Sequence, residues 1–93
     1  MVFQPMAVCE LSVSGLQVET TFPLHLDSLH DFRLTLGTRP VVVKGRVNHC
    51  ALVDVDQNAV RYRTGVQFVE LPDRTRAVIE EFLNGLREGR RPL

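Results

Sequence analysis

At 93 residues the chain is long enough for one small domain, and a domain of this size buries only about 60–65% of the surface its unfolded chain exposes. Its 11 basic and 11 acidic residues cancel, so no global field draws the molecule onto nucleic acid or an acidic membrane, and any anion site has to be local. No apolar run reaches the length of a membrane span, and MVFQPMAVCE lacks the basic start and apolar core of a signal peptide, which predicts a cytoplasmic chain without membrane insertion.

Up to about Leu71 the apolar pattern is mostly of period two, with turn residues between the runs, and predicts strands. MAVCEL is the first. What precedes it is short and interrupted by Pro5, so an unpaired sheet edge able to drive self-association is expected. The small residues of SVSG lead into GLQVETTF, with Leu16 and Val18 on one side and Gln17 and Glu19 on the other. Pro23 breaks the pattern, and LHLDSLH reads as a polar connection. DFRLTLG alternates cleanly, placing Phe32, Leu34 and Leu36 opposite Asp31, Arg33 and Thr35.

PVVVKGRVNHCALVDV is a longer, β-branched run whose internal Gly45 predicts a bulge or a close approach. DVDQNA is a hairpin loop into VRYRTGVQFVEL, with Tyr62, Val66 and Phe68 facing away from Arg61, Arg63 and Gln67; these two runs should pair antiparallel. After LPD the period becomes helical. Val78, Ile79, Phe82, Leu83 and Leu86 form one apolar stripe, Asp73 is the expected N-cap, Arg76 and Glu80 an i,i+4 pair, and Gly85 or Gly89 the stop. The expected fold is all-β with a C-terminal helix: a small antiparallel barrel of five to six strands plus one amphipathic helix, a single domain over residues 1–88 with a loose tail over 89–93.

Catalytic chemistry finds no footing. SVSG lacks the glycine that a nucleophile elbow needs two positions before its serine, and His25, His30 and His49 stand in no recognisable base setting, so no enzyme activity is expected. A metal set would have to combine those histidines with Cys50, but the spacing from His25 to His30 does not put both on one strand face, and adjacent His49 and Cys50 point to opposite faces. Cys9 and Cys50 have no CxxC spacing and read as free thiols. Arg33, Lys44, Arg46, Arg61 and Arg63 fall opposite the apolar strand positions, which suits either phosphate recognition or a solvated face balanced by Glu19 and Asp31. Zero net charge and a lone Tyr62 with no aromatic series argue against DNA or RNA as partner.

One resemblance spans nearly the whole chain, about residues 7–86. ELSVSG resembles the D/N-x-S-x-x-G signature of PilZ domains, receptors for the bacterial second messenger cyclic di-GMP, and VVVKGRV, GVQFVEL and RAVIEEFL are similar to the strands and closing helix that follow it there. The resemblance implies a PilZ-like six-stranded antiparallel barrel with a C-terminal helix, and cyclic di-GMP as ligand with no other cofactor. Carried over by position, Glu10 accepts from a guanine edge, Ser12 adds a hydroxyl contact, and Gly15 lets the backbone turn close to the ligand.

Two departures bear on affinity. Glu10 stands where the family has Asp or Asn, and none of the nine residues ahead of it is basic, so the family's RxxxR segment, which clamps phosphates and guanines, is missing from this sequence. Arg46, Arg61 and Arg63 are the candidate substitutes on the strands, together with Arg33. The expected function is a domain of bacterial cyclic di-GMP signalling with weak or absent nucleotide binding. Its alternative is a ligand-independent protein–protein adaptor, for example in motility, pilus or surface-polysaccharide control. A protein partner is expected in either case.

Overall fold

The computed structural model describes residues 6–57 and 59–88. Five strands, β1 (Ala7–Leu11), β2 (Gly15–Thr20), β3 (Leu29–Leu36), β4 (Arg39–Val55) and β5 (Val60–Phe68), precede a single helix, α1 (Asp73–Arg87). They form one sheet in the order β1-β2-β5-β4-β3, antiparallel at every junction and curled into a half-barrel. Because direction alternates through five strands, the two edges β1 and β3 run the same way and do not pair with each other.

The alternation in the sequence decides which side is inside. Leu16 and Val18 on β2, Phe32, Leu34 and Leu36 on β3, Val43 and Val47 on β4, and Val66 and Phe68 on β5 are all buried on the concave face. Val78 and Ile79 of α1 join them, and Phe82 and Leu83 pack partly against the cluster. The helix therefore acts as the second layer that the concave face needs. Two buried hydroxyls are satisfied inside: Thr64 Oγ1 donates to Cys50 Sγ at 3.4 Å and Thr20 Oγ1 to the Phe22 carbonyl at 2.5 Å.

The connections are built from local chemistry. β3 turns into β4 through Gly37 and Thr38, with Gly37 at φ 66°, a backbone region that glycine enters without the Cβ clash. The segment between β2 and β3 is pinned to the middle of β4, where Asp27 N–H donates to the Val47 carbonyl and Val47 N–H to the Ser28 carbonyl. The β4–β5 hairpin closes with Asp56 and Ala59 exchanging backbone bonds of 2.7 and 3.3 Å.

Several expectations are corrected. Gly45 sits in regular register; a Cβ there would lie 2.2 Å from Val66 Cγ1 and 3.1 Å from Phe32, so side-chain packing explains this glycine, and the bulges of β4 fall between Val47 and His49 and between Leu52 and Asp54. The cap of α1 is Pro72, extended at φ −62° and ψ 148°, with Asp73 as the first helical residue next to the positive end of the dipole. The helix runs through Gly85 to Arg87. Among the described residues an ion pair ties α1 to β4, Arg39 to Glu81 at 3.1 Å. Leu86 is 48% exposed: the apolar stripe outlasts the layer it could pack on. The tail over 89–93, the stop at Gly89 and the segment ahead of Met6 lie outside the described residues. Among the described residues no helix is long and apolar enough to cross a membrane.

Candidate functional site

Between β1 and β2 the chain reverses through Ser12–Ser14, and the turn is stapled from within. Ser12 N–H donates to the Gly15 carbonyl at 2.9 Å, Ser14 N–H donates to Ser12 Oγ at 3.2 Å, and the Ser12 hydroxyl reaches the Gly15 carbonyl at 3.3 Å. This is the local hydrogen bonding by which serine stabilises turns. The Ser14 carbonyl then accepts from Phe68 N–H at 2.9 Å, tying the turn to the end of β5. Gly15 meets β5 so closely that a Cβ would stand 2.2 Å from the Val66 carbonyl oxygen. The approach that requires glycine here is that of the protein's own backbone.

Beside this turn, on the convex face, lies an open hollow of about 690 Å³. Its floor is Gly65, which brings no side chain. Its rim carries the carboxylate of Glu10, the amides of Gln17, Asn48 and Gln67, and the hydroxyls of Ser12 and Ser14. Two irregularities assemble that rim. The register shift between Val8 and Glu10 sets Glu10 opposite Gln17, and the shift between Val47 and His49 puts Asn48 over Gly65, its Oδ1 only 2.8 Å from where a Cβ of residue 65 would be. Asn48 thus overhangs the glycine floor, and the mixture of acceptors and amide donors around the hollow is of the kind that pairs with the edge of a purine.

The arginines do not gather around the hollow equally. Arg46 is in the cross-strand row of Gln67 and Gly15, beside Gln67 but not itself in the lining of the hollow. Arg63 lies two residues along β5 from the Gly65 floor and Arg61 four, roughly 7 and 13 Å at about 3.3 Å per residue. Arg63 is 3.6 Å from Glu19, and Arg61 Nη2 donates to Asp54 at 2.6 Å. The hydrogen bond and charge of Asp54 hold the Arg61 pKa above its ordinary value, so this guanidinium stays charged and engaged. Glu10, Ser12 and Gly15 are thus brought together at the hollow, Arg46 stands beside its Gln67 rim, and Arg63 and Arg61 are engaged by Glu19 and Asp54 along β5. The sequence reading missed Gln17, Asn48, Gly65 and Gln67. The lone glycine in RTGVQF could have signalled a close approach, whereas nothing in VNHC marks the bulge that turns Asn48 outward.

A second cavity, of about 980 Å³, occupies the seam between β1 and β3. Leu16, Val18 and Phe82 form its floor, with Leu11 on one wall and Phe32 and Leu34 on the other. His25 and His30 belong to the β2–β3 connection and the start of β3, where Ser28 Oγ lies 2.8 Å from His30 Nε2. His49 faces out and Cys50 in, so these residues form no common ligand set.

The family model of the PilZ domain matches residues 4–85. The chain belongs to the PilZ family. No curated protein and no solved structure matches it significantly. PilZ domains are known as non-catalytic receptor domains, and the family is one of cyclic di-GMP signalling.

Proposed function

We propose that this PilZ domain reads cyclic di-GMP weakly, by one guanine edge at the hollow, and passes the signal to a protein partner in the cytoplasm. The observation that carries the proposal is the division of the arginines. Arg46 stands beside Gln67 of the rim, whereas Arg63 and Arg61, two and four residues from the Gly65 floor, are paired with Glu19 and Asp54. Among the described residues, a ligand with two phosphates therefore meets one nearby arginine not paired with a carboxylate, where a clamp would offer several. Each charge-assisted contact forgone is worth about 1.5–3 kcal/mol, and two together weaken binding by tens to thousands-fold. Glu10, Gln17, Asn48 and Gln67 supply the base-reading groups.

Calorimetric titration with cyclic di-GMP tests this. The chain should bind with a dissociation constant above the micromolar range, weakened further by Arg46→Ala and by Asn48→Ala and unchanged by Arg61→Ala. Submicromolar binding, or loss of binding on Arg61→Ala, would refute it. Gly15 is a poor probe of the ligand, because any side chain there strikes the Val66 carbonyl and disturbs the fold itself.

A second reading, an adaptor that needs no nucleotide, is favoured by one observation. The Ser12 hydroxyl is used inside the turn and Gly15 is demanded by β5, so the signature residues have work to do in folding alone. Absence of heat, together with a melting curve that cyclic di-GMP does not shift, would select the adaptor.

A further inference from the structure

The two open edges of the sheet are protected very differently. β1 is short, carries a register shift at Val8 and Glu10, and ends in a stapled turn. These are devices that discourage a second strand from pairing. β3 has none of them. It is 8 residues long, about 27 Å, its register against β4 is unbroken from Leu29 to Leu36, and it contains neither proline nor glycine. Among the described residues no strand pairs with its outer side, which opens onto the seam cavity.

We propose that β3 pairs with β3 of a second copy, antiparallel across a two-fold axis at Phe32, joining two half-barrels through one continuous sheet. The sequence of the strand selects both the partner and the register. Directly opposed residues in an antiparallel pair share a face, so an axis falling between residues would oppose outward side chains to buried ones and is excluded. Of the axes that pass through a residue, those at Phe32 and Arg33 keep the longest overlap within Leu29–Leu36. The Arg33 axis sets Arg33 against its own copy. The Phe32 axis sets Asp31 against the second copy's Arg33, and Arg33 against the second copy's Asp31, on the exposed face. Two opposite-charge pairs thus replace one like-charge pair. Beneath them the rings of Phe32 meet on the apolar side. Arg33 also interacts within its own chain, and its five N–H donors allow a second carboxylate. The strand is self-complementary in charge, which is the property an isologous contact requires.

The test uses the whole chain in sedimentation equilibrium from micromolar to millimolar concentration. A monomer–dimer equilibrium is expected, weakening as salt screens the charge pairs. Asp31→Arg and Arg33→Asp should each raise the dimer dissociation constant about tenfold or more, since each turns two attractive pairs into repulsive ones. The double exchange Asp31→Arg with Arg33→Asp should restore it. Both positions are exposed, and far-UV circular dichroism checks that each variant is folded. If a single exchange perturbs folding, the salt dependence of the unmodified chain still decides. A chain that stays monomeric, a dimer indifferent to salt, single exchanges without effect, or a double exchange weaker than either single one would each overturn the proposal.

Discussion

Strands β4 and β5 pair from Gly45 and Phe68 to their hairpin at Val55 and Val60, and the two ends of this pair behave differently. Near the turn of ELSVSG, Val47 is 0% exposed and Val66 is 3% exposed, while Gly15, Gly45 and Gly65 each stand where an added Cβ would meet a neighbour at under 3.0 Å. At the hairpin end, Leu52, Val53 and Val55 are all exposed, at 54%, 44% and 64%. The sequences are equally β-branched and apolar at both ends. What differs is the opposite layer: α1 and the inner faces of β2 and β3 cover the first end and stop short of the second. Strand character is a local property, whereas burial depends on what folds across it.

The largest effect should come from the side chain through which the helix seals the covered end. Ile79 is 0% exposed and belongs to the cluster that joins α1 to the sheet. Ile79→Ala should cost about 2–5 kcal/mol in denaturant unfolding, the sum of lost transfer energy and an unrelaxed cavity. Phe82, half-buried at the mouth of the seam, should cost less than a fully buried aromatic. If Ile79→Ala left stability unchanged, the helix would not be the second layer.

Next in size is a pair of glycine substitutions. Gly15→Ala drives a methyl to 2.2 Å from a backbone oxygen that no rotamer change can move, and should destabilise by about 1–3 kcal/mol or more. Gly85, inside α1, has nothing within 4 Å of the corresponding position. Gly85→Ala should therefore stabilise by about 0.5–1 kcal/mol through helix propensity alone. Thermal melts that moved in the same direction for both would break the distinction between a glycine fixed by packing and one that is merely tolerated.

The same contrast explains what could be read ahead of the structure. Every strand and the helix were legible, because Leu16/Val18, Phe32/Leu34/Leu36 and Val78/Ile79/Phe82 carry unbroken periods of two and 3.6. The signature at Glu10, Ser12 and Gly15 was legible as a unit of sequence. Its surroundings were not, since Gln17, Asn48 and Gln67 come from three strands and meet only after a bulge that no residue announces. Leu86 fits the stripe of α1 as well as Phe82 does, yet is exposed, because periodicity does not tell where the facing layer ends. The arginines divided for a similar reason: alternation put Arg46, Arg61 and Arg63 on one face but said nothing of how far along it each would lie.

The smallest expected effect is the sharpest test of the comparison, because it repeats one chemical change at both ends of one strand. Val47 and Val55 lie on β4, and threonine is nearly isosteric with valine and equally at home in a strand, so propensity and shape drop out of the difference. At Val47 the new hydroxyl would be buried, opposite Val66 across the sheet, and should cost about 1–3 kcal/mol for want of a partner. At Val55 it would be solvated, and the change should stay within about 0.5 kcal/mol. Val55→Thr as damaging as Val47→Thr in the purified chain would mean that the hairpin end is covered in solution by a second copy, and the loss would then fade on dilution, since a self-contact weakens as concentration falls.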